Sequence, residues 1–482
     1  MSTTEEQSSM DIYRASFYAP HSITAPRKYY VQDPKDLKNL AAQILAQSSR
    51  TGEYNLLEEY YRNLTKINSR QFDDPSKPNN RVSYPFAEII CNSATSYFTG
   101  IPIGVVPTDK KREEVLKEID TLNDTDDVNT ELDRLTNIFG HAFEVHWRET
   151  VGDTVYPRFK AISPKNCMIF HSTDLEAKPI GAVIWITRQD AVSKETTYEG
   201  TAYTDTEYCK FSFAPEKEQV LLESEDWKPH LIGALPVIEY LNNEDRSSSF
   251  EKVMGQIDAY NLVNSDTFND VEYWADSYLV LTEMSGTDSP SLRSMKQNRV
   301  LLVDGSGKAE FLNKNTNDKH LENIKDRLTS DIHKFAQVPN LHDEQFAANL
   351  SGTAIRMKIK DLEDKVSEKE KKFVKSLRKR YEIIFSLLDK KAITKTVDFV
   401  SFVFKRNIPT NLIEIAEMMS KTPEGVWSKK TMRQQYPIIY NEDEEVKELE
   451  KEAEEQVNAE MGANPFSAPK TPKPIIEEPP KE

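Results

Sequence analysis

The amino-acid sequence predicts an α+β fold, and the prediction depends on three observations. Apolar residues recur at helical spacing over residues 34–64 and 81–100. Residues 141–241 instead contain short segments rich in β-branched and aromatic residues, separated by turn residues, which is typical of antiparallel strands. Beyond residue 246, a helix, a small strand-rich module, a second helix, a loop and a long helix follow one another. This last order describes a helical hairpin with a small domain at its tip.

Composition limits the class of protein. The chain has 482 residues, of which 38% are hydrophobic and 29% are charged, so we expect several domains and a large polar surface. The net charge of −17 argues against binding of nucleic acid over the whole surface, because proteins that do so are usually basic. The N-terminal residues are polar and no apolar run approaches the length of a membrane span, so we expect a soluble cytoplasmic protein.

The elements of the first half are predicted in chain order. Residues 1–24 should form a flexible arm. The helix over 34–64 should break near Thr51 and Gly52 because glycine weakens a helix. The polar, proline-containing residues 71–80 predict a loop, and the helix over 81–100 should stop at Gly100.

The second half is predicted to alternate between helices and short strands. We expect a Ser-capped helix over 246–276, strands within 277–318, a helix over 319–337, a loop over 338–352 and a long helix over 353–391. A strand at 396–406 should return the chain to a sheet, residues 407–456 should be helical, and the Pro-rich residues 457–482 should be disordered.

Motifs that would indicate an enzyme are missing. The stretch nearest to a phosphate-binding loop, residues 304–309, lacks the first glycine and has Ala309 where Ser or Thr is required. His141 and His146 lie five apart in a strand-like segment, so they should face opposite ways and cannot share a metal. We therefore assign no catalytic residue, metal or cofactor. The enzymatic alternative, a nuclease built on scattered carboxylates, would show Mg²⁺-dependent DNA cleavage.

The cysteines indicate reduced structural thiols. Cys91, Cys167 and Cys209 are too widely spaced for a CxxC site, and their odd number argues against a disulfide framework.

Four segments carry a family resemblance. They are NRVSYPFAEIICNSATSYFTGIPIGV, SSSFEKVMGQIDAYNLVNSDTFNDVEYWADSYLVL, VPNLHDEQFAANLSGTAIRMKIKDLEDKVSEKEKKF and GVWSKKTMRQQYPIIYNEDEEVKELEKEAEE. These segments resemble recurring parts of the portal proteins of siphophage-type tailed bacteriophages, in the family's order, between about residues 80 and 456. None of the four segments is a signature motif with a known chemical role, so the resemblance depends on all four together.

The resemblance implies a portal fold with an α/β wing, a helical-hairpin stem carrying a small α/β clip, a long spine helix and a helical crown. It implies this division of the chain: wing 25–245 with the returning strand 396–406, stem helices 246–276 and 319–337, clip 277–318, tunnel loop 338–352, spine helix 353–391 and crown 407–456.

It also implies a function without enzymatic activity, cofactor or membrane. About twelve identical subunits would form a ring at one vertex of the capsid, assembled in the host cytoplasm. Double-stranded DNA would pass through the ring during packaging and ejection. The terminase large subunit and the head–tail connector (adaptor) protein would dock at the clip, and major capsid and scaffold proteins would be further partners. The alternative is another minor head or connector protein, which would lack a closed ring with a channel as wide as DNA.

Candidate site residues follow from this family picture. The tunnel loop would contact DNA through His342, Asp343, Glu344, Gln345, Phe346 and Asn349. The clip would offer Asp288, Arg293, Lys296, Arg299 and Lys308 for docking.

The first stem helix carries six carboxylates and a single lysine, Lys252, between residues 251 and 276. We expect Asp258, Asp266, Asp270 and Glu272 to line the tunnel, where they would repel phosphates and let DNA slide. The alternative is a solvated outer face, or pairing with the basic residues of a neighbour.

The long helix contains a basic stretch, from Lys369 to Arg380, that follows an acidic one. Intrahelical pairs such as Asp361–Lys365 and Glu368–Lys372 are expected on a solvated or intersubunit face, and contact with DNA is the alternative. The helix also has an apolar seam, which we expect ring assembly to bury.

Overall fold

A computed structural model describes most of the chain. The described residues are 28–72, 74, 77–109, 112–152, 154–189, 196–214, 226–275, 279–282, 290, 293, 308–311, 318–340, 352–388, 400–408, 412–423, 426, 428, 432–433, 445–446 and 448–454. The predicted N-terminal arm and Pro-rich tail lie outside these residues. The chain divides into one unit of residues 1–348 with 357–407 and a second of residues 349–356 with 408–482.

Helices and strands are numbered here in chain order. The helices are α1 (Leu37–Tyr61), α2 (Phe86–Thr99), α3 (Glu113–Asn123), α4 (Thr125–Phe139), α5 (Met254–Ala275), α6 (Asp318–Ala336), α7 (Gly352–Lys358), α8 (Lys360–Leu388) and α9 (Leu412–Lys421). The strands are β1 (Tyr29–Tyr30), β2 (Gly104–Pro107), β3 (His141–Val151), β4 (Thr154–Ile162), β5 (Cys167–His171), β6 (Pro179–Gln189), β7 (Thr196–Tyr203), β8 (Glu207–Phe213), β9 (Lys228–Pro229), β10 (Val237–Leu241), β11 (Leu279–Thr282), β12 (Lys308–Phe311) and β13 (Val400–Val403).

Two sheets form the centre of the first unit. A six-stranded sheet has the order β1-β5-β6-β7-β8-β9, and a three-stranded antiparallel sheet has the order β10-β3-β4. Helix α1 covers one face of the larger sheet, where Leu40 and Ile44 pack with Phe170 and Trp185. On the other face, Ile169 packs against residues of the smaller sheet. The α+β prediction is consistent with this mixed architecture.

Helix α8 closes the far side of the smaller sheet. Phe373 lies edge-on to Phe98 of α2 at 5.3 Å between ring centroids and 4.7 Å from Tyr240 of β10. The apolar seam of α8 is therefore buried within one subunit. The expectation that ring assembly buries it was wrong, because the seam is already covered by the subunit's own sheet: Phe373, Leu377 and their neighbours are almost fully inaccessible.

A tight turn joins α4 to β3. Gly140 has φ 85°, and a Cβ at this position would lie 1.9 Å from the carbonyl oxygen of Arg246. The chain can pass this close to the 242–249 segment only because the residue has no side chain.

The described elements confirm several predictions and correct two. Helix α2 ends before Gly100, and β13 pairs with β2, as a strand returning to a sheet must. Helix α1 runs through Gly52 without the predicted break, because packing on the large sheet offsets a helix penalty of about 1 kcal/mol. The predicted long helix is interrupted at Ile359, between α7 and α8. In the second unit, α9 and helical residues 448–454 agree with the helices predicted there.

Candidate functional site: the helical hairpin and the long helix

Helices α5 and α6 form a hairpin that carries the two-stranded sheet β11–β12 between them. The base of the hairpin is fixed by aromatic rings. Phe86, the first residue of α2, lies edge-on to Tyr260 of α5 at 5.0 Å and 6.1 Å from the ring of His333 of α6. Tyr84 also lies edge-on to Tyr260, with 5.0 Å between the ring centroids. One aromatic cluster thus connects both hairpin helices to the start of α2.

A ladder of polar side chains runs along one face of α5. The Oδ1 atom of Asn261 accepts from the backbone N–H of Tyr84 at 3.0 Å, and the Ser265 hydroxyl accepts from the N–H of Val82 at 2.9 Å. One turn further, Oδ1 of Asn269 accepts from the N–H of Asn80 at 2.7 Å. Sequence reasoning missed this ladder, although the Asn, Ser, Asn spacing of four residues would have indicated a shared helical face.

The structure corrects one of the four tunnel-wall candidates. The Asp258 side chain is buried, accepts from the hydroxyl of Tyr60 at 2.6 and 2.7 Å, and lies 3.8 Å from the ammonium of Lys66. Burial, followed by the negative charge of Asp258, raises the pKa of Tyr60, so this phenol stays a donor. A carboxylate enclosed in this way cannot face a channel.

The other three candidates remain on or near the surface. Asp266 is half exposed and accepts from the buried guanidinium of Arg70 at 2.6 Å, so its charge is already compensated. Glu272 is exposed and accepts from the amide of Asn80 at 2.6 Å. Asp270 is partly buried on the same helix. The acidic surface of α5 therefore covers only the C-terminal half of the helix.

Most loop and clip candidates lie outside the described residues. These include all six tunnel-loop residues (His342, Asp343, Glu344, Gln345, Phe346 and Asn349) and three clip residues (Asp288, Lys296 and Arg299). Arg293 is exposed, and Lys308 begins β12 opposite Thr282 of β11. The described part of the loop shows how α6 ends: Gln337 has φ 58°, and the N–H of Val338 donates to the carbonyl of His333 at 3.1 Å.

Three cationic side chains of α8 point inward instead of outward. Arg380 is fully buried and donates through Nε to both carboxylate oxygens of Glu144 at 3.1 and 3.0 Å, and through Nη1 to Asn129 at 2.7 Å. Burial alone would raise the pKa of Glu144, but the charges of Arg380 and His146 hold it at about 2. Glu144 therefore stays ionised, and the pair fastens α8 to β3.

About three helical turns before Arg380, Lys369 repeats this arrangement. Lys369 is buried and forms an ion pair with Asp133 of α4, while its ammonium also donates to Asn137 at 3.1 Å. Between the two cations, the Ser376 hydroxyl donates to the carbonyl of Glu239 on β10 at 2.6 Å. Burial lowers the pKa of Lys369 and raises that of Asp133, against the attraction between them.

Lys365 connects α8 to the hairpin. Its ammonium donates to the carbonyl of Ala336, the last residue of α6, at 3.0 Å and to that of Ser249, just before α5, at 3.5 Å. Burial, together with the charges of Lys369 and Lys252, lowers its pKa to about 8. Cations favour helix C-termini, which explains the contact with Ala336, and the same side chain also contacts the segment that precedes α5.

These contacts correct the predicted intrahelical pairs. Lys365 binds backbone carbonyls rather than Asp361, and Lys372 forms an ion pair with Glu244 rather than Glu368. Local spacing favoured the i,i+4 pairs, but exposed pairs of that kind contribute little, so tertiary partners replace them. We call the inward-facing set Lys365, Lys369, Lys372, Ser376 and Arg380 the polar seam of α8.

Metal and membrane sites are not indicated. Among the described residues, no group of His, Cys, Asp or Glu is arranged to hold a metal ion, and none of the helices could span a bilayer. His141 and His146 are occupied separately, His141 by Glu239 and His146 by Glu144, each at 2.7 Å. Cys91, Cys167 and Cys209 are buried free thiols, as the sequence predicted.

Comparison with known proteins points to one family. The family model described as "Phage portal protein, SPP1 Gp6-like" matches residues 44–459. The portal protein of Bacillus phage SPP1 is 24% identical over 435 residues, which cover 85% of this chain and 83% of that protein. The family match includes the two sheets except β1, together with the hairpin and the long helix.

Proposed function

The chain belongs to the SPP1 Gp6-like family of phage portal proteins, and we propose that about twelve copies of it form a ring at one capsid vertex. The ring is the conduit through which DNA enters during packaging and leaves during ejection. The protein acts as a structural component of the capsid rather than as an enzyme. The observation that carries this proposal is the length of the family match, which includes both hairpin helices as well as the sheets.

The parts of the portal are assigned to the chain as follows. Residues 25–245 form the wing, completed by the strand at 396–406, and the pairing of β13 with β2 supports this assignment. Helices α5 and α6 form the stem, with the clip between them. Residues 338–352 form the tunnel loop, α7 and α8 the spine, and 407–456 the crown.

The channel wall is assigned to the C-terminal half of α5. Asp270 and Glu272 supply negative charge there, and Asp266 contributes less because Arg70 compensates it. Negative charge repels the phosphate backbone, so DNA can slide without strong contacts that would slow it. The acidic net charge of the whole chain is consistent with a surface that DNA passes rather than binds.

Docking is assigned to the clip side of the ring. The terminase large subunit binds there during packaging, and the head–tail connector protein replaces it afterwards. Arg293, which is exposed, is a clip residue available for such contacts. Major capsid and scaffold proteins surround the ring during assembly, and the tunnel loop contacts the passing DNA.

The first experiment measures the mass of the purified protein in solution, with negative-stain images of the same sample. A ring of about twelve copies with a central hole as wide as a DNA duplex is the expected result. If the protein stays monomeric, it is co-expressed with the capsid and scaffold proteins of its phage. A chain that forms no ring there either is not a portal subunit.

The channel wall has its own test. The double substitution Asp270→Lys and Glu272→Lys should slow DNA packaging into procapsids, because lysine–phosphate contacts would retard the DNA. The matched control reverses two exposed acids of α3, Glu114→Lys and Glu118→Lys, which changes the net charge equally. If both variants and the wild type package DNA at equal rates, Asp270 and Glu272 do not line the channel.

A further inference from the structure

The outward face of α8 carries a second set of cations, separate from those of the polar seam. Lys371, Lys375, Arg378 and Lys379 are exposed. They extend over about 12 Å of helix and within about 100° of its circumference, at 1.5 Å and 100° per residue. We call these four residues the cationic face.

The side chains of the cationic face are not paired within the described part of their own subunit. The inward cations each have a partner: Asp133 for Lys369, Glu244 for Lys372 and Glu144 for Arg380. Within the described part of the chain, none of the four outward cations forms an ion pair or a side-chain hydrogen bond. Four adjacent exposed cations without an ion pair contrast with the net charge of −17 of the whole chain.

Repulsion within the cationic face supports the same conclusion. The pKa of Lys379 is lowered, first by partial desolvation of its ammonium and then by the charge of Lys375, although Glu239 and Glu382 act in the opposite direction. The charges of Lys375 and Lys379 therefore repel each other across one helical turn. An anionic partner would relieve the repulsion as well as add attraction.

Two polyanions could supply the missing charge, DNA or a second copy of this acidic chain. The net charge of −17 opposes approach of DNA to the protein as a whole. The same charge makes every neighbouring copy an acidic partner and makes assembly of identical subunits self-repulsive. Local contacts that reverse this repulsion are needed at each subunit boundary.

We propose that the cationic face of α8 is a subunit–subunit contact, seated against exposed carboxylates of the neighbouring copy in the ring. The contact is heterologous, because a ring joins one surface of each subunit to a different surface of the next. This inference depends on the proposed ring, and it adds which helix face holds neighbours together. It also explains why these four cations face outward, whereas the four cations of the polar seam have partners within the subunit.

Cross-linking provides the direct test. Rings are assembled from an equal mixture of unlabelled and ¹⁵N-labelled chains and treated with a water-soluble carbodiimide, which joins lysine amines to carboxylates in contact. Cross-linked peptides from Lys371, Lys375 or Lys379 should contain one labelled and one unlabelled partner, which also identifies the carboxylates. Cross-links found only within chains of one label would overturn the proposal.

Substitution tests the energetic role. The triple change Lys371→Glu, Lys375→Glu and Arg378→Glu should raise the protein concentration needed for half-assembly at least about tenfold. Replacing Lys371, Lys375 and Lys379 by Arg should leave assembly intact and remove the cross-links, because charge is retained and the amines are lost.

The matched control is the triple change Lys160→Glu, Lys210→Glu and Lys228→Glu, at exposed strand positions with the same change of net charge. If it weakens the ring equally, net charge and not the face is responsible, and the proposal fails. If the variant with the reversed cationic face forms normal rings but loses DNA binding in a filter assay, the cationic face is a DNA contact and the proposal fails. If the wild type forms no ring under any condition, the proposed function fails, which is a separate result.

Discussion

Replacing Arg380 by Met should loosen the attachment of α8 to the small sheet. Methionine fills a similar volume without charge, and it leaves the Glu144 carboxylate fully buried beside His146. The pKa of Glu144 is about 2 instead of 4.5, which corresponds to about 3 kcal/mol of stabilisation. Removing one partner of a buried ion pair costs about 3–5 kcal/mol, which agrees with that value.

Native-state hydrogen exchange of α8 measures this loss directly, because it reports the free energy of local opening. A change of about 3 kcal/mol lowers amide protection by about a hundredfold. The pH dependence has a defined sign. Because the pKa of Glu144 is depressed in the folded state, the contribution of the pair is complete above about pH 4.5 and is lost as the pH falls towards about 2.

Two further variants decide between this reasoning and a general effect of charge loss. Adding Glu144→Gln to Arg380→Met should recover part of the protection, since no uncompensated charge is then buried. Lys360→Met, which breaks an exposed pair with Asp364 on the same helix, should change protection by less than about 1 kcal/mol. A double variant worse than Arg380→Met alone, or an equal loss from Lys360→Met, would refute the argument.

Three more predictions follow from other contacts. The pKa of Lys365 lies at about 8 rather than 10.5, so this residue should make stability rise between about pH 8 and 10.5 in urea titrations, and Lys365→Met should reduce that rise; part of it should remain because the pKa of Lys369 is lowered as well. Gly140→Ala should destabilise by more than about 3 kcal/mol in thermal unfolding because its Cβ would meet Arg246, whereas Gly52→Ala, where nothing lies within 4 Å, should be neutral or stabilising by up to about 1 kcal/mol. Asn261→Ala should cost about 1–3 kcal/mol in the same assay, because the partly buried backbone N–H of Tyr84 loses its acceptor.

Hydrophobic periodicity was sufficient to predict the main elements. The alternation in 141–241 predicted the strands, and the apolar spacing before Gly100 predicted α2 and its end. These predictions succeeded because each signal lies within one element and concerns which side is buried. The break expected at Gly52 was wrong because packing against the large sheet, which local propensity does not include, decided the outcome.

The polar contacts could not be predicted in the same way. Asp258 belongs to an acidic helix, and only its distance from Tyr60 shows that it is buried. Arg380 and Glu144 are 236 positions apart, so no local pattern connects them. The basic stretch of α8 places cations on both its inward and its outward face. Hydrophobic periodicity alone does not show which of these cations lie close to carboxylates. The partners of charged residues depend on tertiary structure, whereas the burial of apolar residues can largely be predicted from their spacing along the chain.

The polar seam of α8 has a consequence for exchange of segments between related phages. Each cation of the seam is matched to an acceptor on another part of the chain, Asp133, Glu144 and Glu244 among them. A recombination event that replaced α8 alone would leave these carboxylates without their cationic partners. Viable chimaeras should therefore inherit α8 together with the region from α4 to Glu244, and natural mosaics should show their crossover points outside that block.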